Sequence, residues 1–236
     1  MTINELFLKY EYSIEKKLDT FEKYVSRQSM SRFMARFELF KKIKNIRGNI
    51  VECGVHHGGG LMTWAKLSTI LEPYAIYRHI IGFDTFEGFP AFHEKDKSDW
   101  KNNNLKKGGL KTSYDVYSEL QELIALYDGN RYLNKLPKIE LVKGNAIDTI
   151  PVYAEKNPQM VISLLYLDFD LYEPTKVALE YFLPKVPKGG IVVFDEMNNK
   201  LWPGETTAVL EKFGNFNKLK IEQFDYEPKL SYMVMD

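Results

Sequence analysis

Short apolar runs alternate with helical patterns through most of the chain. The run at Val161–Asp168 (VISLLYLD) is apolar at nearly every position, which is typical of a strand buried on both faces. Helical patterns follow the first strand, through about Leu71, and follow this run at Glu173–Leu183. Further strands are predicted at Asn49–Val55, Ile80–Asp84, Ile139–Lys143 and Ile191–Phe194. Such alternation predicts an α/β fold with a parallel sheet between two helical layers.

The end of the chain has a different pattern. A helix is predicted at Glu205–Phe213, followed by two strands, at Leu219–Tyr226 and Leu230–Met235, that are joined by a turn at Glu227-Pro228. Consecutive strands joined this tightly must be antiparallel. The mostly parallel sheet is therefore predicted to end in an antiparallel hairpin.

The N-terminal segment has helical periodicity. Phe33, Phe37 and Phe40 recur at three- and four-residue spacing, and no strand pattern precedes residue 49. We therefore divide the chain into an N-terminal helical extension, residues 1–47, and one α/β domain, residues 48–236. A packing layer is favoured for the extension over a lid or a dimer element.

A polar insertion, residues 91–114, interrupts the α/β pattern. It contains three consecutive asparagines and a glycine pair. A loop of this length within a compact domain is usually functional or disordered. It follows the second strand, at the sheet edge where ligands bind, so a loop that covers the substrate and a tolerated surface insertion both stay open.

Composition narrows the class of protein. The chain has 236 residues, 44% of them hydrophobic, with 32 Lys and Arg against 32 Asp and Glu. This balance lacks the basic excess that a nucleic-acid binder uses to release counterions. Cys53 is the single cysteine, and no segment has the roughly 20 apolar residues that span a bilayer. We therefore expect a cytoplasmic protein without nucleic-acid or membrane partners.

The first two strands end in residues that suit an adenosine-containing ligand. The first runs into Gly54 and the glycines Gly58–Gly60, which let the backbone turn tightly and approach a ligand. Their spacing is not the GxGxxG of dinucleotide folds, which argues against NAD. Asp84, at the tip of the second strand, can accept hydrogen bonds from ribose hydroxyls. Glycines that merely allow the turn remain the structural alternative.

Four carboxylates follow the two central strands. Asp168 and Asp170 come after one strand, and Asp195 and Glu196 come after the next. Like charges gathered at one sheet edge repel each other unless a cation neutralises them. Oxygen ligands favour Mg²⁺, with Mn²⁺ or Ca²⁺ as the less favoured ions. The alternative is that some of these acids cap the helices that follow them.

Taken in order, four motifs resemble the macrocin O-methyltransferase family. They are Glu52–Val55 (ECGV) with its following glycines, Gly82–Pro90 (GFDTFEGFP), Asp168–Thr175 (DFDLYEPT) and Lys188–Glu196 (KGGIVVFDE). The resemblance implies a class I S-adenosylmethionine-dependent methyltransferase fold, which is Rossmann-like. It also implies Mg²⁺-assisted O-methylation of a sugar hydroxyl.

The resemblance assigns roles to individual residues. Asp168 would be the general base, and Asp170, Asp195 and Glu196 would bind the metal, although the roles of Asp168 and Asp170 could be exchanged. The residues placed at the cofactor are Glu52, Cys53, Gly54, Gly58, Gly59, Asp84, Thr85, Phe86, Gly144 and Asn145. Two positions depart from the family pattern. His56-His57 replaces an aromatic-Arg pair, and Glu196 stands where a second Asp is usual.

Two other functions remain open from the sequence. Asp168-Phe169-Asp170 matches the DxD motif of metal-dependent glycosyltransferases, and a methyltransferase fold can also serve a binding protein without catalysis. The expected partner is a small sugar or nucleotide-sugar acceptor, and a homo-oligomer is left open.

Overall fold

One seven-stranded sheet forms the centre of the computed structural model, which describes residues 1–236. The strands are β1 (Asn49–Cys53), β2 (Ile80–Asp84), β3 (Ile139–Lys143), β4 (Ile162–Leu167), β5 (Ile191–Phe194), β6 (Glu222–Phe224) and β7 (Glu227–Val234). Their order is β3-β2-β1-β4-β5-β7-β6. Strands β1 to β5 are parallel, and β7 is antiparallel to both of its neighbours. The predicted mostly parallel sheet with a terminal hairpin is confirmed.

Eight α-helices accompany the sheet. They are α1 (Ile3–Lys9), α2 (Ile14–Asp19), α3 (Arg27–Ile43), α4 (Gly59–Leu71), α5 (Val116–Gly129), α6 (Ala146–Lys156), α7 (Tyr172–Tyr181) and α8 (Pro203–Phe213). The predicted N-terminal helices are therefore present, with α3 packed on α4 and β7. No helix is both long enough and apolar enough to cross a bilayer.

Both faces of the sheet are covered by hydrophobic core. One cluster of 22 buried residues includes Leu39 of α3, Trp64 of α4 and Leu120 of α5. A second cluster of the same size, on the other face, includes Ile150 of α6 and Leu179 of α7. Since the central strands are buried on both sides, only their ends are free to carry polar function.

The C-terminal hairpin turns two residues earlier than predicted. The turn lies at Asp225-Tyr226, and Glu227-Pro228 begins β7 instead, so the predicted turn was wrong. The register shifts between Gln223 and Phe224, opposite Pro228. Proline has no N–H to donate and is tolerated in a strand at such an irregularity. The dipeptide marks the start of a strand next to a bulge.

Arg78 links the C-terminal end of α3 to the amino ends of β1 and β4 by hydrogen bonds. Its buried guanidinium donates hydrogen bonds to the carbonyl oxygens of Gly48 (2.9 Å) and Ile46 (3.0 Å) and to Ser163 Oγ (2.5 Å). It also pairs with Glu72 at 2.6 Å and donates to the carbonyl oxygen of Ile43 at the end of α3. One side chain thus satisfies carbonyl groups that the helix end leaves free.

Candidate active site

A cavity of about 550 Å³ lies at the carboxyl ends of the parallel strands. Its volume is within the range of small-molecule and cofactor sites. Eleven of the predicted site residues line it: Glu52, Gly54, Gly59, Asp84, Thr85, Phe86, Gly144, Asn145, Asp168, Asp170 and Glu196. Three lie off its wall: Cys53 is buried in the core, Gly58 caps α4, and Asp195 faces α3.

Gly54 lets the tips of β1 and β4 meet at this edge. Its φ of +98° lies in the region that favours glycine, and a Cβ there would collide with the carbonyl oxygen of Asp168. The Asp168 amide donates to the Cys53 carbonyl oxygen at 2.7 Å. The backbone that carries Asp168 is therefore fixed against the first strand.

Asp84 holds the glycine-rich loop in place. Its Oδ2 accepts hydrogen bonds from the backbone N–H groups of Val55 and His56, both at 2.8 Å. Its Oδ1 accepts from the N–H of Phe86, also at 2.8 Å. Most of the acceptor capacity of the carboxylate is already used within the protein. Sequence reasoning offered Asp84 only as a ribose acceptor and missed this organising role.

Backbone strain is concentrated at the same edge. Four non-glycine residues with φ between +49° and +62° follow β1, β2, β4 and β5: His56, Phe86, Asp170 and Asn198. Left-handed backbone at such residues costs about 1–3 kcal/mol each and persists where the surroundings impose it. The strain falls on the loops that form or flank the cavity.

The Glu52 carboxylate lies beneath the first turn of α4. The side chain is 2% exposed, and its Oε2 has no hydrogen-bond partner. Burial raises the pKa of Glu52 to about 7, an effect partly offset by the nearby Arg36 guanidinium. Above it, Gly58 begins α4 in a left-handed conformation and without a side-chain cap. The cavity therefore has a buried acid with one unsatisfied oxygen beside a helix N-terminus.

The predicted acidic residues do gather at the tips of β4 and β5. Burial, together with the charges of Asp195 and neighbouring acids, raises the pKa of Asp168 and of Asp170 well above the usual range. Burial and Asp195 also raise the pKa of Glu196 to about 7. These shifts are the expected result of carboxylates held close together in a desolvated site.

An arginine from α3 neutralises part of this cluster. Arg32 Nη2 lies 2.9 Å from Asp195 Oδ1, which also accepts from Tyr166 Oη at 3.3 Å. No three His, Cys, Asp or Glu side chains in residues 1–236 are arranged as the ligands of a metal ion. The acidic residues are close to one another, but Asp195 is directed toward arginine.

Glu205 is a fifth acid at this site and was not among the predicted site residues. It is fully buried on α8, and its Oε1 accepts a hydrogen bond from the Glu196 N–H at 2.9 Å. Burial and the charge of Asp195 raise the pKa of Glu205 well above the usual range. By holding that amide, Glu205 fixes the turn that carries Glu196.

The polar insertion, residues 91–114, forms part of the cavity wall. Asp96 is 1% exposed and links the insertion to α7, accepting from the backbone N–H of Tyr172 at 2.6 Å and of His93 at 2.7 Å. Asn102 Nδ2 donates to the Leu201 carbonyl oxygen at 3.0 Å. Residues of the insertion that line the cavity are Ala91, Phe92, His93, Asp96, Asn104, Gly109, Leu110 and Thr112. The insertion therefore lines the cavity, and its role as a loop that covers the substrate stays a prediction.

The comparisons with known proteins agree with this architecture. The family model Macrocin-O-methyltransferase (TylF) matches residues 23–226, which is more than half of the chain. The chain belongs to the macrocin O-methyltransferase family. It is thus an O-methyltransferase, with the fold of the class I S-adenosylmethionine-dependent enzymes.

Solved structures give the same family and fold. The chain is similar to CalS11, a calicheamicin methyltransferase, at 31% identity and a TM-score of 0.92, covering 98% of this chain and 89% of that one. An apo structure of CalS11, described as a TDP-rhamnose 3'-O-methyltransferase, gives 30% identity and a TM-score of 0.83, with 98% and 91% covered. The O-methyltransferase NovP, at 22% identity, a TM-score of 0.63 and 87% and 79% covered, shares the fold. No curated protein sequence matches the chain.

Proposed function

We propose that this member of the macrocin O-methyltransferase family transfers a methyl group from S-adenosylmethionine to a hydroxyl of a sugar, with the assistance of Mg²⁺. The observation that carries the proposal is the shared cavity. One wall of the cavity is the glycine-rich edge with Glu52 and Asp84, and the opposite wall contains Asp168, Asp170 and Glu196. Family membership favours methyl transfer over the glycosyltransferase and binding-protein alternatives.

The methyl donor would lie along the tips of β1 to β3. Glu52, Gly54 and Gly59 would contact its methionine part, where one oxygen of the acid has no partner and no side chain caps the helix. Asp84, Thr85 and Phe86 would lie by the ribose, and Gly144 and Asn145 by the adenine. Asp84 already accepts three hydrogen bonds from the backbone of the neighbouring loops. It would therefore accept hydrogen bonds from the ribose in addition to these three.

The acidic residues suit a hard divalent cation. Asp170, Asp195 and Glu196 are oxygen donors on adjacent strand ends, and the raised pKa values of Asp170 and Glu196 reflect repulsion that a cation would relieve. Asp195 would exchange its contact with Arg32 for the ion. When bound, Mg²⁺ would polarise the acceptor hydroxyl and make it easier to deprotonate.

Asp168 would act as the general base. Its backbone is held between β1 and β5, because its N–H donates to Cys53 and the Asp195 N–H donates to Leu167. As the acceptor oxygen attacks the sulfonium methyl, the new C–O bond forms, the C–S bond breaks and the hydroxyl proton passes to Asp168. The products are the methyl ether and S-adenosylhomocysteine. Most of the rate gain would come from positioning the two substrates.

The acceptor class follows from the relatives rather than from the cavity alone. CalS11 is described as acting on TDP-rhamnose. We propose a sugar or nucleotide-linked sugar for this chain as well. The acceptor would reach Asp168 beneath residues 91–114. Phe89 and Trp202 line this part of the cavity and pack edge to face, with their ring centres 5.5 Å apart.

The test is transfer of labelled methyl from S-adenosylmethionine to a panel of free, glycoside-linked and TDP-linked deoxyhexoses. We expect transfer to a sugar hydroxyl that stops on chelation with EDTA and returns with Mg²⁺. Labelled product that is unaffected by EDTA would reject the metal assignment. Donor binding without transfer to any sugar would reject the acceptor class.

Binding of S-adenosylhomocysteine should strengthen as the pH rises from 6 to 8. An ammonium group beside Glu52 requires the ionised carboxylate, so below its pKa of about 7 binding must first remove a proton. Arg36 from α3, Asp84 from β2 and Asp168 from β4 are the charged groups around it. Titration calorimetry should show about a tenfold gain in affinity over this range. The Glu52→Gln variant should bind S-adenosylhomocysteine more weakly. If its affinity rose with pH as steeply as that of the wild type, Glu52 would not be the titrating group.

A further inference from the structure

A half-buried arginine from the N-terminal extension reaches the cofactor side of the cavity. Arg36 lies on α3, one helical turn after Arg32, and its Cζ is 5.5 Å from the centre of the Tyr166 ring. Its head group ends near the first turn of α4, where a Cβ added to Gly60 would lie 2.9 Å from Arg36 Nη2 and would collide with Glu52 Oε1. The cation and the acid therefore meet above Gly60.

These two opposite charges satisfy each other only in part. Arg36 and Glu52 attract each other electrostatically, but each keeps one polar atom that no protein group satisfies. Arg36 Nε and Glu52 Oε2 are buried and without partners. A buried polar atom without a partner is costly, and a bound ligand is one way in which a native protein satisfies it. Both residues line the cavity, so a ligand can reach them.

The ligand that fits must carry both charges on neighbouring atoms. An α-amino acid does so, since its ammonium group suits Glu52 and its carboxylate suits the guanidinium of Arg36. The first N–H groups of α4 add further donors for a carboxylate, because the helix begins at Gly58 without a side-chain cap. Gly60 leaves the space that a side chain would fill.

We infer that Arg36 binds the carboxylate of the methionine part of the methyl donor, and that α3 is therefore part of the donor site. The inference rests on the proposed use of S-adenosylmethionine, and it gives the N-terminal extension a role in binding beyond packing. The two arginines of one helix face then serve the two ends of the cavity, Arg36 at the donor and Arg32 at the acidic residues.

The test compares two ligands that differ only in the carboxylate. Calorimetry measures binding of S-adenosylhomocysteine and of its decarboxylated analogue, S-adenosyl-3-thiopropylamine, to the wild type and to Arg36→Met. We expect the wild type to bind the analogue about 10- to 100-fold more weakly, the range for a lost charge-assisted hydrogen bond. In Arg36→Met, S-adenosylhomocysteine should lose a similar factor, and the preference for it over the analogue should vanish.

Controls separate a direct contact from a general disturbance. Lys41→Met removes an exposed cation from the same helix and should leave both affinities unchanged. Arg36→Lys keeps the charge and should retain part of the preference. Equal binding of the two ligands by the wild type would overturn the inference without any variant. An unchanged preference in a folded Arg36→Met protein would overturn it too.

The outcomes also separate this inference from the proposed function. Methyl transfer to a sugar with no preference for the carboxylate would reject the role of Arg36 and leave the proposed reaction standing. A wild type that binds no S-adenosylhomocysteine at all would reject both.

Discussion

Replacing Asp168 by asparagine is expected to lower the rate of methyl transfer by about 10²- to 10⁴-fold, the range for loss of a general base. The amide has nearly the same shape as the carboxylate, so the backbone contacts of this position with Cys53 and Gly54 should persist. What disappears is the group that accepts the hydroxyl proton. The measurement is initial rate with labelled donor at saturating Mg²⁺ and acceptor, alongside calorimetry with S-adenosylhomocysteine, whose affinity should stay within about twofold.

Asp170→Asn is the matched control. It removes one carboxylate from the same short segment, and it should weaken the binding of Mg²⁺ while a large excess of the ion restores much of the rate. The reverse pattern, with rescue of Asp168→Asn by excess Mg²⁺ and none for Asp170→Asn, would show that the two roles are exchanged.

Replacing Arg78 by methionine is expected to destabilise the protein by about 3–5 kcal/mol, the cost of breaking a buried charge pair. Methionine can fill much of the space but offers no donors. The Glu72 carboxylate, 13% exposed, would then keep a hydrogen bond from the Ser68 hydroxyl but lose its cation, and the carbonyl oxygen of Ile46 would lose its donor. For a domain of this size, such a loss lowers the melting temperature by roughly 10 °C.

Urea unfolding, followed by circular dichroism, measures this free energy. Arg47→Met is the control, because Arg47 is exposed and forms no ion pair. Its one charge interaction is with the Tyr77 ring, whose centre lies 4.3 Å from the Arg47 Cζ. Its effect should stay within about 0.5 kcal/mol. Similar losses in the two variants would mean that the buried network of Arg78 contributes little to stability.

The sequence was most informative where apolar runs are short and sharply bounded. The predicted limits of β2, β3 and β5 agree with the structure, because each strand begins and ends where its apolar run meets polar residues or glycine. The convergence of Asp168 with Asp170 and Glu196 also followed from the parallel order of β4 and β5. Such features depend on the local pattern and on one general rule about where parallel strands end.

Residues that act across long separations were beyond that reach. Arg32 pairs with Asp195, far away in the sequence, and Arg36 lies near Glu52 of another element. Glu205 is only nine residues from Glu196, but it binds the Glu196 amide from the next helix. A signal did exist for the arginines. They lie four and eight residues before the buried Phe40 of α3, on the same side of the helix, so that two cations stand where apolar residues would be expected. A charged residue in an otherwise buried stripe indicates a buried partner.

The position of β7 determines when the lateral edge of β5 can be covered during protein synthesis. It is the last strand along the chain, yet it lies between β5 and β6 in the sheet. As the chain leaves the ribosome, β5 keeps an unpaired edge until residues 227–234 emerge. The hydrogen bond that Ser31 of α3 donates to Glu227, at 2.8 Å, also cannot form before then. Nascent chains can form the parallel core early. The lateral edge of β5 is then closed last, and chains stalled before β7 would expose an unpaired strand to aggregation.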